Sequence, residues 1–325
     1  MSSSDFIAKL GDWIGKIRGR LTPDQKMSEI SWFRVGGVVP LLFQPADEED
    51  LAFFLKNLPK EIKVTVIGMG SNLLIRDGGL DGVVIKLSAK GFGAIEVQKD
   101  HRILVGAANP DVRVAKAAAL AGIDGLTFYR GIPGGIGGAL YMNAGCYGLE
   151  TRDRMVELRG VTRLGEIVKI SNEDMGYKYR KSNAPQGVIF TSAIYQGFTG
   201  DPDEMISRME QITDRREKSQ PIKSRTGGST FKNPDGYSSW KLIDEAGCRG
   251  LQIGEAQVSE LHCNFLLNLG GASAYDIELL GETVRHRVRE NSGVELQWEI
   301  RRMGKFEPEN QVNEFLDGEV FVGKV

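Results

Sequence analysis

The chain has 325 residues and is rich in glycine, with 41 Gly and only 11 Pro. This is about 13% glycine, nearly twice the usual ~7%. The glycines follow no G-X-Y period, which excludes collagen and flexible linker, so we expect them at defined positions inside folded elements. The 41 Lys and Arg against 43 Asp and Glu give a net charge of −2. A nucleic-acid partner is not expected, because neutralising phosphates needs a basic excess.

Cysteine and histidine occur three times each, without the spacing of a disulfide framework or a zinc site. We therefore predict no metal and a reducing, cytoplasmic compartment. No apolar run approaches the ~18 residues that a membrane span needs, and the first residues lack a signal-peptide pattern. The sequence predicts a globular cytoplasmic protein of about two or three domains.

The first predicted elements lie in residues 1–88. Apolar residues from Phe6 to Ile17 share one helical face, which predicts a helix packed on the protein body, with a membrane-surface helix as the less favoured alternative. Residues 38–88 are typical of a βαβ-like unit, because acidic residues open a predicted helix between apolar runs. The predicted elements of this unit are strands over 38–43, 63–67 and 83–85 and a helix over 46–58.

The following segment, residues 93–198, alternates strands and helices. It predicts a hairpin around Lys99-Asp100, an Ala-rich helix over 111–121, and strands over 155–198 with Gly165-Glu166 as a turn. Further on, the patterns predict helices over 202–219, 238–246 and 274–291, with Gly293 as a C-cap, and strands over 252–258, 265–268 and 294–301.

These patterns predict five regions. They are an N-terminal helical extension (1–20), two subdomains (21–88 and 89–199), a C-terminal α+β domain (200–303) and a tail (304–325).

Two glycine-rich segments follow predicted strands, where backbone amides can approach phosphate oxygens. Residues 68–72 read Gly-Met-Gly-Ser-Asn, and residues 131–139 contain five glycines and one proline. The first segment lacks the third glycine of a dinucleotide fingerprint and the Gly-Lys-Ser/Thr of a P-loop. Each segment alone is also compatible with tight turns between strands. The two together favour a cofactor that contains a diphosphate.

The glycine segments belong to a longer set of motifs. Arg34-Val35-Gly36-Gly37, Gly68-x-Gly70-Ser71-Asn72-Leu73-Leu74 and Gly131-Ile132-Pro133-Gly134-x-x-Gly137-Gly138-Ala139-x-x-Met142-Asn143-Ala144-Gly145 resemble the UDP-N-acetylenolpyruvoylglucosamine reductase family. The resemblance runs from about residue 22 to 303. It implies an α+β architecture, with the FAD-binding fold of the vanillyl-alcohol oxidase type in two subdomains and a C-terminal α+β substrate domain. Tyr129-Arg130 stands where the family pattern has a small residue.

The resemblance also implies a cofactor and the residues that hold it. FAD would be bound non-covalently between the two subdomains, with both glycine segments against its diphosphate, and NADPH would be the reductant. The implied cofactor-binding residues are Arg34, Gly68, Gly70, Ser71, Asn72, Leu73, Gly131, Ile132, Pro133, Gly134, Gly137, Gly138, Ala139, Asn143, Ala144 and Gly145.

Three implied catalytic residues lie in further family motifs. Ser229, in Gly-Ser-Thr-Phe-Lys-Asn-Pro, would donate a proton, while Arg180 and Glu299 would stabilise the substrate carboxylate as hydride reaches the neighbouring carbon. On the residues alone, Ser229 is more typical of a turn, Arg180 of a surface ion pair and Glu299 of a solvated strand position, so these assignments depend on the resemblance. Implied substrate-binding residues are Tyr179, Lys232, Asn233, His262 and Asn264, although His262 is equally typical of a packed histidine.

The implied reaction is the reduction of a UDP-sugar enolpyruvyl ether to UDP-N-acetylmuramate. This is a step of peptidoglycan precursor synthesis, and hence of cell-wall biogenesis, cell shape and division. The region 187–200 carries no insertion with an extra substrate-covering tyrosine, which is typical of the shorter subclass. We expect a monomer or weak oligomer. The alternatives are a flavin-dependent oxidase of the same fold and a non-catalytic flavin- or nucleotide-binding module.

Overall fold

The computed structural model describes residues 3–312. Helices and strands alternate along these residues. The helices are α1 (Ser3–Ala8), α2 (Glu48–Asn57), α3 (Ala89–Phe92), α4 (Asp111–Leu120), α5 (Ile136–Met142), α6 (Pro202–Ser219), α7 (Ser239–Glu245) and α8 (Ala274–Ser292), with 3-10 turns at Asp12–Lys16, Met27–Glu29, Thr127–Gly131 and Thr151–Asp153. The strands are β1 (Arg20–Lys26), β2 (Val38–Gln44), β3 (Val64–Ile67), β4 (Leu73–Ile75), β5 (Val83–Lys86), β6 (Ile95–Val97), β7 (Arg102–Gly106), β8 (Ile123–Asp124), β9 (Gly145–Cys146), β10 (Leu149–Glu150), β11 (Met155–Val161), β12 (Ile167–Ser171), β13 (Ile189–Gln196), β14 (Phe198–Thr199), β15 (Arg225–Ser229), β16 (Gln252–Ile253), β17 (Ala256–Val258), β18 (Phe265–Asn268) and β19 (Arg301–Met303).

The described chain divides into two compact units. The first comprises residues 3–25, 40–69 and 82–215, and the second comprises 26–39, 70–81 and 216–312. The five predicted regions stay a prediction, and the predicted tail lies partly outside the described residues.

The first sheet of unit 1 has the order β1-β2-β5-β3. β5 lies between β2 and β3 and pairs with both in parallel, so α2 makes the crossover that a parallel pair requires. Asp47 caps α2 by accepting the N–H of Asp50, which agrees with the predicted acidic opening. Phe43 stacks on Phe54 of α2 at a centroid distance of 4.1 Å, inside the apolar core between this helix and the sheet.

The prediction of one N-terminal helix over residues 6–17 is wrong. The α-helix ends at Ala8, Gly11 has φ 86°, and a separate 3-10 turn follows. A positive φ is accessible to Gly and breaks the helical path. The apolar side chains nevertheless pack on the α2 core, where Leu10 is buried and Trp13 meets the ring of Phe54 edge-on at 5.5 Å.

The second sheet of unit 1 is antiparallel, with the order β12-β11-β13-β7-β6. Both predicted hairpins are present. Asp100 and His101 take positive φ between β6 and β7, and Gly165 has φ 79° between β11 and β12. The core under this sheet includes the alanines of α4, the side of α5 and fully buried Tyr129 and Tyr195.

Unit 2 contains the antiparallel sheet β15-β18-β17-β16 and the parallel pair β4-β19. The apolar stripe predicted for residues 274–291 is confirmed, since Ile277, Leu280, Val284 and Val288 of α8 are fully buried. Gly293 ends α8 in the left-handed conformation, as predicted for the C-cap. No helix among residues 3–312 has both the length and the apolarity to cross a membrane.

The predicted strand over residues 294–301 is wrong in its extent. Regular pairing begins only at Arg301, and before it Trp298 forms an isolated antiparallel bridge with Phe231. Leu296 and Ile300 are buried at both ends of this segment. The burial of these two side chains, rather than continuous strand pairing, therefore sets the backbone path of residues 294–300.

Candidate active site

The first glycine segment directly follows β3 and presents unpaired backbone donors. Within residues 3–312, the N–H groups of Met69, Gly70 and Ser71 donate no hydrogen bond. A Cβ added to Gly68 would meet no atom within 4 Å, so open space borders the backbone there. Successive unpaired amides beside open space are the arrangement that binds a phosphate.

Gly70 and Asn72 connect this segment to other parts of unit 2. Gly70 has φ 74°, and its carbonyl accepts the N–H of Trp32, just before Arg34. Arg34 takes φ 60° and donates to the carbonyl of Glu29 at 2.8 Å. Asn72 donates from Nδ2 to the carbonyl of Glu299 at 3.2 Å, and Leu73 is buried in β4. The first segment therefore brings a predicted cofactor residue beside a predicted catalytic residue.

The second glycine segment uses most of its amides inside the protein. Ile136 and Gly137, in the first turn of α5, donate to the carbonyls of Asn109 and Ala107 at 3.0 and 2.9 Å. Further backbone carbonyls accept the N–H groups of Ile132, Gly134, Gly138 and Ala139. The contact of the second glycine segment with a diphosphate stays a prediction. Such a contact would depend on close approach of the diphosphate to the backbone more than on unpaired N–H donors.

Close approach is possible at Gly138, which is exposed, and where a Cβ would meet no atom within 4 Å. Gly131 and Gly145 serve packing, because a Cβ would lie 2.6 Å from Cys146 Sγ and 2.4 Å from the Leu149 carbonyl respectively. The open space at Gly68 and Gly138 and the unpaired amides at 69–71 fit a diphosphate-bearing cofactor such as FAD.

Asn143 follows α5 in the left-handed conformation and is fully buried. Its amide donates to the carboxylate of Glu150 at 2.9 Å and to the carbonyl of Lys178 at 3.1 Å, while its oxygen accepts the N–H of Arg152. The predicted contact of Asn143 with FAD stays a prediction. Its observed bonds hold the turn that carries Arg180.

Arg180 lies in unit 1 in a tight turn after Tyr177. Lys178 and Lys181 exchange backbone hydrogen bonds across this turn, and Arg180 takes φ 53°. Its guanidinium donates to the carbonyl of Gly145 at 2.9 Å and stacks over the ring of Tyr179, which is 53% exposed. The neighbourhood is therefore half-open, and an anion can reach it.

Ser229 and Glu299 both lie in unit 2, on adjacent segments. Ser229 ends β15 after Gly228, which has φ 81° and open space on its Cβ side. The N–H of Glu299 donates to the carbonyl of Thr230 at 2.8 Å, and the N–H of Lys232 donates to the carbonyl of Gln297 at 2.8 Å. Thus the structure brings together two residues that are 70 positions apart in the sequence.

Four of the five predicted substrate residues, Lys232, Asn233, His262 and Asn264, lie in unit 2 with the Ser229 segment, whereas Tyr179 lies in unit 1. Asn264 is buried and pairs with the backbone of Phe231, accepting its N–H at 2.9 Å and donating to its carbonyl at 2.8 Å. Asn233 accepts the N–H of Ser239 at the start of α7, and Lys232 is half-buried. Substrate contact by these residues stays a prediction, and Asn264 holds the chain just after Ser229.

His262 packs edge-on against Phe265 with ring centroids 4.9 Å apart and accepts the N–H of Asn264 at Nδ1. Burial lowers its pKa, so the imidazole is neutral near pH 7 and Nε2 carries its proton. These contacts favour the packed histidine that the sequence left open, and its contact with substrate stays a prediction.

The sequence analysis did not identify a group of buried charged residues on α8, one of which bonds to Trp298, the neighbour of Glu299. Glu278, Glu282 and Arg285 of α8 are at most 9% exposed, and the indole of Trp298 donates to Glu282 Oε1 at 2.7 Å. Their spacing of four and three residues along a predicted helix was the available signal, because it repeats on one helical face.

Comparisons with known proteins agree with this description. Residues 39–171 match the family model of an FAD binding domain, and residues 220–303 match that of the UDP-N-acetylenolpyruvoylglucosamine reductase C-terminal domain. The solved UDP-N-acetylenolpyruvylglucosamine reductase from Thermus caldophilus is 32% identical with a TM-score of 0.76, over 89% of this chain and 100% of that one.

More distant structures are also similar. The 6-hydroxy-D-nicotine oxidase from Arthrobacter nicotinovorans is 15% identical over 87% of this chain and 62% of that one, with a TM-score of 0.46. The berberine bridge enzyme from Eschscholzia californica is 13% identical over 59% and 44% respectively, with a TM-score of 0.44. These two similarities are too weak to support an assignment of fold or function.

The fold, the unpaired amides of the first glycine segment and the family matches define an FAD-dependent oxidoreductase, with an FAD-binding domain followed by a reductase C-terminal domain. The chain belongs to the UDP-N-acetylenolpyruvoylglucosamine reductase family. Its activity is therefore the NADPH-dependent reduction of that enolpyruvyl sugar nucleotide. The oxidase and the non-catalytic module are not favoured.

Proposed function

We propose that Ser229, Glu299 and Arg180 carry the reduction. The observation that supports this assignment best is the 2.8 Å hydrogen bond from the Glu299 N–H to the Thr230 carbonyl, which places Glu299 beside the residue that follows Ser229. FAD, when bound, would supply the hydride that it receives from NADPH. Ser229 then donates its proton to the carbon that carries the carboxylate.

Charge stabilisation falls to Arg180 and Glu299. The planar guanidinium of Arg180 binds both oxygens of the substrate carboxylate, where negative charge develops during hydride transfer. Its backbone turn and its bond to the Gly145 carbonyl restrict where the guanidinium lies. Glu299 holds the enolic form of that carboxylate through a hydrogen bond. Tyr179, Lys232, Asn233, His262 and Asn264 form the rest of the substrate neighbourhood.

For FAD, we propose that the segment 68–73 supplies the amides to the diphosphate and the segment 131–139 supplies the close approach, with Arg34 and residues 143–145 completing the set. The unpaired N–H groups of Met69, Gly70 and Ser71 and the open space at Gly68 and Gly138 support this division. Anionic phosphate oxygens gain most from donors that have no competing acceptor.

We further propose that the enzyme acts in the cytoplasm as a monomer or weak oligomer. Its product would enter peptidoglycan precursor synthesis, which connects the enzyme to cell shape, division and the cell cycle. The substrate is a sugar nucleotide, and the net charge of −2 supports a small anionic ligand bound by local donors rather than by an overall basic surface.

The two half-reactions test the catalytic assignment. NADPH should bleach the yellow protein anaerobically, and the enolpyruvyl sugar nucleotide should restore its colour. In Ser229→Ala we expect bleaching within about twofold of wild type and recovery slowed by at least 100-fold, which lies in the usual range for a lost general acid. Ser224→Ala, in the same unit, is the control and should leave both steps intact. Equal losses in both steps would remove Ser229 from the proton-donor role.

A further inference from the structure

Trp298 belongs to the segment that carries Glu299, and its ring contacts the segment that carries Ser229. It lies next to Glu299 in the chain, and its ring packs on Phe231 at a centroid distance of 5.1 Å, two residues after Ser229. Trp298 and Phe231 also form an antiparallel bridge. One side chain therefore connects the Ser229 segment to the Glu299 segment.

Helix α8 fixes where this ring lies. The indole N–H donates to Glu282 Oε1 at 2.7 Å, and Arg302 Nη1 donates to the same oxygen at 2.9 Å. Glu282 Oε2 accepts a hydrogen bond from Arg285 Nη1 at 2.6 Å. Since Glu282 is only 6% exposed, these charge-assisted bonds are little weakened by solvent.

Two further contacts limit the movement of the indole. The guanidinium of Arg302 lies over the ring at 4.6 Å. On the helix side, a Cβ at Gly281 would lie 2.1 Å from the ring, so only glycine allows this approach. The indole is thus enclosed by Phe231, Arg302 and α8.

We propose that Trp298 is a positioning residue, held by Glu282, that sets the separation of Ser229 and Glu299. This inference rests on the proposed catalytic roles of these two residues. A displacement of about 1 Å in a reacting group costs up to ~100-fold in rate. Loss of the indole hydrogen bond should therefore slow substrate reduction and leave flavin reduction by NADPH unchanged.

The test compares Trp298→Phe, which keeps an aromatic ring without the N–H, with Trp13→Phe, the same change in unit 1. For Trp298→Phe we expect flavin reoxidation by the enolpyruvyl sugar nucleotide to fall about 10- to 100-fold, with bleaching by NADPH within twofold. Trp13→Phe should leave both rates unchanged. Equal slowing of both half-reactions, or no slowing, in Trp298→Phe would overturn the proposal.

A second pair of variants leaves the indole in place and decides the matter if Trp298→Phe does not fold. Glu282→Gln keeps an acceptor oxygen for the indole and should stay within about threefold of wild type in the reoxidation step. Glu282→Leu removes that oxygen and should slow flavin reoxidation as much as Trp298→Phe does. The double variant Glu282→Leu/Trp298→Phe should reoxidise its flavin no more slowly than either single variant. Equal rates in Glu282→Gln and Glu282→Leu would overturn the proposal.

Hydrogen exchange in the flavin-free protein provides a readout that does not depend on activity. The amides of Lys232 and Glu299, which bond to Gln297 and Thr230, should exchange at least tenfold faster in Trp298→Phe and Glu282→Leu. Unchanged exchange would overturn the proposal. If Ser229→Ala and Glu299→Gln themselves leave reoxidation intact while this exchange rises, the proposed catalytic roles fail and the positioning of the two segments stands.

Discussion

Asp111, the first residue of α4, is a fully buried carboxyl group, and neither of its oxygens has a hydrogen-bond partner among the described residues. Burial and the charge of Asp111 both raise the pKa of Tyr129 and Tyr195, whose hydroxyl groups bond to each other at 3.1 Å. Burial raises the pKa of Asp111 well above its usual value. The neutral acid is therefore favoured in the folded protein.

This leads to a prediction about the pH dependence of stability. Because the folded pKa lies above the unfolded one, the folded state binds more protons above about pH 4, and stability falls as the pH rises. Asp111→Asn does not titrate, so its free energy of unfolding relative to wild type should increase from pH 5 to pH 8. Urea unfolding at both pH values measures this difference. Parallel curves for the two proteins would show that Asp111 is ionised in the folded state.

Two polar residues that the family motifs assign to ligand binding use their side-chain amides for hydrogen bonds within the protein. Asn264 pairs with Phe231, and Asn143 holds the turn before Arg180. Their amide groups are bonded to backbone atoms from 33 to 35 residues away, and sequence spacing does not reveal such pairings. At this scale, the sequence identified the residues and the structure determined which atoms they bond.

Among the elements, α8 contains a glycine whose role is packing. Alanine normally favours a helix interior over glycine by up to about 1 kcal/mol. At Gly281, however, the added Cβ would lie 2.1 Å from the Trp298 ring. We expect Gly281→Ala to lower the free energy of unfolding by about 1–3 kcal/mol, as overpacking does.

Chemical denaturation of Gly281→Ala, Trp298→Phe and the double variant tests this packing argument. Phe lacks the outer ring atoms that the new methyl group would meet, so the double variant should recover part of the loss. Additive losses would mean that the two positions do not meet.

The first glycine loop leads to a prediction that separates binding from folding. A methyl group at Gly68 would occupy open space, so Gly68→Ala should leave the thermal stability of the flavin-free protein unchanged. We expect its FAD affinity to fall about tenfold, or ~1.4 kcal/mol, because the methyl group takes the place of the diphosphate. Titration with FAD measures this.

Gly15→Ala is the matched control, because its Cβ also meets no atom within 4 Å. It should leave the FAD affinity unchanged. An unchanged affinity in Gly68→Ala would contradict the proposed placement of the diphosphate.

The prediction of elements succeeded where a local pattern and its capping residues agree. The α8 stripe and its Gly293 cap, the two hairpins and the Asp47 cap of α2 are examples. It failed at residues 6–17, where Gly11 interrupts an apolar pattern, and at residues 294–300, where buried anchors replace a strand ladder. At residues 6–17 the backbone conformation of Gly11 ends the helix, and at residues 294–300 buried side chains rather than periodicity set the backbone path.

At the scale of the whole molecule, cofactor binding should stabilise the protein through its diphosphate. FAD at about 100 times its Kd should add ~2.7 kcal/mol to the free energy of unfolding. Riboflavin, which has no diphosphate, should raise the Tm of the flavin-free protein much less at the same concentration. Thermal unfolding with each flavin measures this. An equal rise in Tm with FAD and with riboflavin would mean that the isoalloxazine ring provides the binding energy. That result would contradict the proposed role of residues 68–71.

The sequence by itself determined the family, the cofactor class and the candidate residues, because these depend on short motifs whose chemistry is local. Only the tertiary structure decided how those residues are used. Within residues 3–312 the amides of Met69, Gly70 and Ser71 donate no hydrogen bond, whereas most amides of the second glycine segment donate to nearby carbonyls. Backbone hydrogen bonds join the Ser229 and Glu299 segments, and Trp298, the neighbour of Glu299, bonds to the buried carboxylate of Glu282 on α8. Hydrogen-bond partners and packing neighbours come from distant parts of the chain, so they exist only once the chain has folded.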